Sequence, residues 1–349
     1  VNGIVSKPDG TLDFSWPDRY FNEAEKRGIG VLVVLDYDHP DLHQPGAPRP
    51  YIPVEAHDRW IAYVRSVASR YSDRAWGFEV WNEPNLSKFW RGSRDEFVSL
   101  ARVTVQTIRE AAPGVPIAVA GLSLLPLDWL DALHAQGVVD AADAISFHPY
   151  WIDAEGALDM VDMAVEWLDQ NGLDRELWLT EYGWPTGGEY PTATDLDGQA
   201  ERLVRFAVGI ATRGVRASWW YASHDYHDPD DVDPDASSEA FFGTAWPTAG
   251  DKPSARAFAV LARLLPGSVV VSAGASPLAS GGAVRTSAFL RPDGAFVVVA
   301  TNTGEVPAKR TVPSGTVVEW PDSAPVARWS EVEIQPGRSV VLSIPAGVR

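Results

Sequence analysis

Residues 78–85 read FEVWNEPN. The apolar run that leads into them has the character of a buried strand, yet it ends in Asn82-Glu83-Pro84. A carboxylate at the end of a buried strand is costly unless it is paired or used. Pro84 cannot donate to a sheet ladder, so the strand stops there. The same grammar recurs along the chain. GVLVVLDY ends in Asp36 and Tyr37, PIAVAGLS in Ser123, and AISFHPYW in His148 and Tyr150. ELWLTEYGWPT ends around Glu181, and RASWWYASHD around Ser223 to Asp225. Amphipathic segments of helical length separate these six runs. Strands alternating with helices predict a parallel sheet with helical crossovers. Nearly continuous apolar strands are those buried on both faces.

Polar clusters at the carboxyl ends of all six strands favour a (β/α)₈ barrel, whose site gathers at that face. A doubly wound open sheet would use one switch point with a Gly-rich turn, and none is visible. Six strands are two short of a closed barrel. Because the helix WPDRYFNEAEKRG precedes the first of them, the expectation is that the first two βα units are absent from this chain. The alternative is a six-stranded open variant. After LLPG at 264–267 the pattern changes to short alternating runs split by turn signals such as Pro292-Asp293-Gly294. The expected organisation is an N-terminally incomplete α/β barrel over 1–263 and an all-β sandwich accessory domain over 264–349.

Composition narrows the partners. The 349 residues are 45% apolar with a formal net charge of −18, which suits a globular protein with a neutral partner. Nucleic acid is excluded, since its binding needs clustered Lys and Arg. No apolar run is long enough for membrane insertion. The absence of cysteine removes disulfides and thiolate metal sites. Fifteen Trp residues are many for this length; aromatic faces stack on sugar rings, although core packing accounts for most of them.

Glu83 and Glu181 each end an apolar strand and are each followed by a strand-breaking residue, Pro84 or Gly183. They lie on the first and fourth of four successive strands, so a barrel brings them together from opposing walls. Either alone reads equally well as half of a salt bridge. As a pair they suit glycoside hydrolysis, which needs one carboxylic acid to protonate the leaving oxygen and a second to attack or to activate water. WNEPN and WLTEYGWPT resemble the acid/base and nucleophile motifs of the clan A retaining glycoside hydrolases, (β/α)₈ barrels with these residues ending the fourth and seventh strands. EVWNEPNLSKFW is most similar to family 39-like bacterial glycosidases; EYGWP is also similar to the nucleophile strand of family 17. The resemblance covers about 19–263.

The resemblance implies a retaining glycosidase cleaving a β-linked glycan by double displacement, a polysaccharide-degrading enzyme acting outside the cell. Glu83 would be acid and then base, holding its proton near neutral pH until it is needed. Glu181 would be the nucleophile. Asn82 would hold the sugar 2-hydroxyl. His148 and Tyr150 would flank the nucleophile, with Tyr150 donating to Glu181. Trp220 would floor the −1 subsite, with Trp219 pointing the other way. The Arg that usually supports the nucleophile in that clan would lie on one of the two strands expected to be absent. Asp36, Tyr37 and His39 end a strand and are candidates to line the glycone pocket. Trp184, Trp151 and Trp246 follow strand ends as candidate sugar platforms. Glu79 is expected to point into the barrel and bond a core polar group, a layer below the mouth. The expected partner is an oligosaccharide or polysaccharide, with no cofactor and no metal. His39 and His43 have metal spacing but sit in a Pro-containing loop. Asp228–Glu239 mimics a calcium loop, yet Val232 occupies a ligand place and Asp233 the turn glycine, so it reads as a solvated acidic loop. Two other functions use the same sequence: a non-catalytic glycan-binding protein on a degenerate barrel, and a transglycosidase.

Overall fold

A computed structural model describes residues 5–6, 11–37, 50–231, 236–272, 275–278, 280–321, 324–325 and 330–347. His39 and His43, and Val232 and Asp233 of the acidic loop, lie outside the described residues. The chain divides into two compact units. The first comprises Val1–Pro149, Asp162–Tyr182 and Arg216–Trp219; the second comprises Tyr150–Val161, Gly183–Val215 and Trp220–Arg349.

The helices and strands alternate as the sequence predicts. α1 is Ser15–Glu25, β1 Val31–Leu35, α2 His57–Arg70, β2 Ala75–Val80 and α3 Arg94–Ala111. β3 is Ile117–Ser123, α4 Leu127–Ala135, β4 Ala144–His148, α5 Ala154–Gln170 and β5 Glu176–Tyr182. α6 is Leu196–Ala211, β6 Ala217–Trp220 and α7 Pro253–Leu264. The six strands form one curled parallel sheet in the order β1-β2-β3-β4-β5-β6. Among the described residues no further strand pairs with the outer edges of β1 and β6. Local chemistry sets the helix starts. Ser93 and Glu96 form a reciprocal capping box at α3, Asp195 caps α6 through the Gly198 N–H, and Pro253 opens α7.

Two irregularities re-aim the strands of the first unit. Val31 pairs with Ala75 and Leu32 with Gly77, so Trp76 is a bulged extra residue. It joins Trp178 and Trp219 in the floor of the sheet's concave side, with ring centroids 4.7 to 6.1 Å apart. The small Ala118 and Ala144 make room for them. A Cβ on Gly77 would lie 2.9 Å from the Trp178 ring, so that position has to be glycine. The register of β3 against β4 also shifts between Val119 and Leu122, where Ala120 and Gly121 take positive φ.

In the second unit the sandwich has a six-stranded antiparallel sheet and a two-stranded one. β7 (Val269–Val271), β8 (Val284–Leu290), β9 (Phe296–Asn302), β11 (Val317–Trp320) and β13 (Ser339–Ile344) belong to the larger sheet. β10 (Ala308–Val312) and β12 (Ser330–Ile334) pair separately. Along β9 and β13 the side chains alternate between two cores. Val297, Val299 and Val341 face Leu203, Val204, Val208, Ala257, Leu261 and Leu264 of α6 and α7. Val298, Ala300, Val340 and Leu342 face Val312 and Ile334 of the smaller sheet. Both faces of the central strands are therefore buried, which explains the run VVVA. The sequence places a boundary at 263/264, whereas compactness joins α6 and α7 to the sandwich through this shared core.

A buried ion pair crosses the loops of the second unit. Lys252 Nζ lies 2.6 Å from Asp225 Oδ2, and both side chains are almost fully buried. Lys252 also donates to Thr186 Oγ1 at 2.9 Å, and Asp225 accepts the Gly243 N–H at 2.8 Å. Burial pushes the Asp225 carboxyl up and the Lys252 amine down; in both groups it outweighs the mutual attraction. That is the signature of a pair whose desolvation costs about what its attraction returns. Asp228, the first residue of the supposed calcium loop, instead accepts the backbone N–H groups of Thr248 and Ala249 at 2.9 Å each. Lys252→Met alone strands Asp225 and is expected to cost roughly 3–5 kcal/mol, read as a fall in the urea midpoint. Lys252→Met combined with Asp225→Leu is expected to recover most of that loss.

Candidate active site

The end of β2 is built from backbone constraints. Trp81 and Glu83 take φ of 68° and 44°, a left-handed conformation uncommon for residues with a Cβ. The structure over-determines both. Trp81 N–H donates to Leu35 O at 3.0 Å, and Glu83 N–H donates to Gly121 O at 2.8 Å. The Asn85 side chain donates to Ser123 O and accepts the Ser123 N–H, each at 2.9 Å. This lashes the turn to β3. Gly121 has φ 49°, and a Cβ there would lie 2.9 Å from Trp81 O. The buried Trp81 ring anchors the turn, its indole N–H donating to Phe89 O at 2.9 Å. Trp81, Asn85 and Gly121 thus hold Glu83 at the sheet's carboxyl edge.

His148, at the end of β4, meets both glutamates. Its Nδ1 lies 3.0 Å from Glu83 Oε1 and 4.0 Å from Glu181 Oε2. Those two oxygens are therefore no farther apart than roughly 7 Å, a range that contains the ~5–5.5 Å spacing of retaining glycosidases. The environments differ: the Glu83 side chain is 10% exposed and that of Glu181 33%. Burial pushes the His148 imidazole down. The hydrogen bond to Glu83 and the charges of Glu181, Glu79 and Glu83 outweigh it, so its pKa is raised. Asn82 Nδ2 donates to Tyr37 Oη at 2.8 Å. The Tyr37 phenol is pushed up by burial and by the charges of Asp36, Glu181 and Glu83. Burial also raises the Asp36 carboxyl. Asp36, Tyr37, Asn82, Glu83, His148 and Glu181 are thus brought to one face of the first unit.

Below them lies a second polar layer. Glu79 is 2% exposed, and its Oε1 accepts from Ser146 Oγ at 2.6 Å and Thr180 Oγ1 at 2.7 Å. Thr180 Oγ1 is also 3.0 Å from His148 Nε2. Burial pushes the Glu79 carboxyl up to about 7 against the lowering effects of His148, Ser146 and Thr180. Glu79 does bond core polar groups, as its position in the strand implies. Ser146 and Thr180 went unnoticed in the sequence because a hydroxyl inside an apolar strand carries little signal. Ser146 shares the parity of His148, and that was the available clue.

The aromatic candidates of the second unit divide. Trp184 is no platform: it is 1% exposed, its indole N–H donates to Ile152 O at 2.8 Å, and its ring packs on Phe206 and Trp220. Trp220 and Trp219 do point opposite ways. Trp219 is the one in the sheet's concave floor. Trp220 is seated against the helix and sandwich core, and its indole N–H donates to Phe242 O at 3.0 Å. It is thus committed to packing rather than to a subsite floor, because strand alternation gives the inner face to its neighbours. Tyr221 shares the parity of Trp219 and was overlooked; its hydroxyl donates to Glu239 at 3.1 Å. Tyr150 meets Tyr221 and Phe242 edge-on at 6.3 and 5.7 Å. Trp151 is 54% exposed and stacks on Tyr190 at 4.4 Å. Trp246 is half-buried, with the Lys252 ammonium 5.9 Å from its ring.

Comparison with known proteins agrees with this architecture. Residues 52–166 match the model of glycosyl hydrolases family 39, and residues 267–341 match the glycosyl hydrolase family 30 beta sandwich domain. A beta-xylosidase of Geobacillus stearothermophilus is 29% identical over 109 residues, which are 28% of this chain and 21% of the relative. A probable glucan endo-1,3-beta-glucosidase of Aspergillus terreus is 25% identical over 130 residues, 35% of this chain and 26% of the relative. These alignments thus span about a quarter or less of the curated relatives' length. A family 39 glycoside hydrolase from Bacteroides cellulosilyticus superposes with a TM-score of 0.74 at 18% identity, over 96% of this chain and 72% of that one. A family 30 endoxylanase from Clostridium papyrosolvens gives 0.66 at 15% identity, over 96% and 85%. By motif and fold the chain resembles the clan A glycoside hydrolases, with a family 39 segment in its α/β sheet and a family 30 type sandwich after it.

Proposed function

We propose that this protein is a retaining glycoside hydrolase acting on β-linked glycans, with β-xylosides and β-glucans the first substrates to test. The observation that carries the reading is the single imidazole of His148 within reach of two carboxylates in unequal environments. The similarity to a beta-xylosidase, a probable endo-1,3-beta-glucosidase and an endoxylanase supports the sugar class.

In the first step Glu181 attacks the anomeric carbon while Glu83 passes its proton to the departing glycosidic oxygen. The C–O bond breaks and a glycosyl ester on Glu181 forms. In the second step Glu83, now a carboxylate, takes a proton from water as that water attacks the same carbon, releasing Glu181. The more enclosed residue, which has the His148 imidazole against it, is given the proton-carrying role. Asn82, held by Tyr37, is the donor to the sugar 2-hydroxyl. A sugar hydroxyl in place of water in the second step would make the reaction a transglycosylation.

The decisive experiment separates the two glutamates. Glu181→Gly removes the covalent step, and added azide is expected to attack in its stead and yield a glycosyl azide of inverted configuration. Glu83→Ala spares glycosylation by dinitrophenyl glycosides and slows poor leaving groups by ~10²–10⁴ more. Azide then resolves the intermediate with retained configuration. Exchanged products reverse the assignment. Binding of xylo- or gluco-oligosaccharides without turnover would instead establish a glycan-binding protein. Gly121→Ala, with a Cβ against Trp81 O, displaces the turn that carries Glu83. It is expected to lower kcat/KM about 10²-fold, with the far-ultraviolet circular dichroism unchanged.

A further inference from the structure

The buried chain Ser146–Glu79–Thr180–His148–Glu83 has a direction that donor and acceptor bookkeeping reveals. Burial holds the Glu79 carboxyl at about 7, so above that pH it is ionised, and an ionised carboxyl accepts and cannot donate. Ser146 Oγ already accepts the Gly121 N–H at 3.0 Å, and its own proton goes to Glu79 Oε1 at 2.6 Å in preference to Val119 O at 3.3 Å. Thr180 has one hydroxyl proton, and it also goes to Glu79 Oε1. Thr180 Oγ1 then has only lone pairs to offer His148 Nε2, 3.0 Å away. Nε2 must therefore carry hydrogen. In a neutral imidazole this leaves Nδ1 bare, facing Glu83 Oε1 at 3.0 Å.

We propose that Glu79 is a positioning residue that, through Thr180, fixes the tautomer of His148 so that a bare Nδ1 is presented to Glu83. The inference rests on the reading of Glu83 as the acid/base. When the ring is neutral and Glu83 carries the proton it must deliver, that carboxyl donates to the bare Nδ1, which holds the proton at Oε1. Once the proton has gone to the leaving oxygen, the imidazole cannot quench the new carboxylate by shifting its own proton to Nδ1, because Thr180 retains Nε2–H. The carboxylate is then satisfied by the proton of the attacking water. Glu83 and Glu181 face the ring at Nδ1, and Thr180, backed by Glu79, faces it at Nε2. This accounts for an acid in a place where an amide would fill the same volume. A glutamine can donate as well as accept, so it leaves the Thr180 hydroxyl free to reverse.

The test reads the tautomer directly and needs no turnover. The intact protein, labelled with ¹⁵N-histidine, is examined by long-range ¹H–¹⁵N correlation above the titration of the ring. His148→Gln identifies the signal by its loss. The expected wild-type pattern is a protonated Nε2 and a non-protonated Nδ1. Thr180→Ser keeps this pattern. Thr180→Val and Glu79→Gln lose it, with Nδ1–H appearing. A wild-type ring protonated at Nδ1 overturns the proposal even if neither variant folds, and so does a pattern unchanged in folded Thr180→Val and Glu79→Gln. Absence of glycosidase turnover would overturn the catalytic reading and leave the tautomer result standing.

Discussion

The contact between His148 Nδ1 and Glu83 Oε1, 3.0 Å long and almost wholly buried, is the interaction around which the first unit is arranged. A histidine and a carboxyl removed from water cost several kcal/mol unless each finds partners. Every irregularity nearby serves that requirement. The left-handed turn at Trp81 and Glu83 aims the carboxyl inward, and the β3 irregularity at Ala120–Gly121 provides the carbonyl that holds its N–H. The Ser146 and Thr180 hydroxyls satisfy Glu79 in the layer beneath. Remove one partner and another buried group is left exposed to the low-dielectric interior without compensation.

Strain and packing are linked at this edge. Left-handed backbone at non-glycine residues costs of order 1–3 kcal/mol each and persists only where the surroundings over-determine it. Here the surroundings are the Asn85 clamp on Ser123, the Trp81 anchor, and a glycine at 121 that alone fits beneath Trp81 O. The floor of three tryptophans below gives those elements a close-packed base. Large rings against Ala118 and Ala144 fill the concave side of a sheet whose strands could not otherwise interdigitate.

The second unit follows a different logic. Its central strands bury both faces, one against α6 and α7 and one against a small second sheet. The helices after β5 and β6 thereby belong to the same core as the sandwich, although they continue the βα pattern of the preceding chain. The loops of this unit are tied by Lys252–Asp225 and by Gln199, which donates to Trp184 O and Gly243 O. These ties are polar and buried, and they specify one loop arrangement more than they add stability.

Much of this was legible in the chain itself. Six apolar runs with polar ends, alternating with amphipathic helices, led to the curled parallel sheet, and the change of period after residue 264 led to the sandwich. Glu83 and Glu181 stood out because an acid ending a buried strand is expensive and two in one pattern are rarely accidental. Glu79 was legible too, as an inward residue below the mouth. The assignments that failed were those depending on which way a side chain points. Trp220 and Trp184 have the composition of sugar platforms, but alternation and a neighbouring core turned both into packing. Ser146 and Thr180 were invisible because nothing local distinguishes a working hydroxyl from a tolerated one. Periodicity and strand-end chemistry are local, so the sequence by itself determined the elements and the two acids. Side-chain orientation after a bulge, the register between strands, and the proton direction of a hydrogen-bonded chain exist only between elements, and these the tertiary structure alone decided.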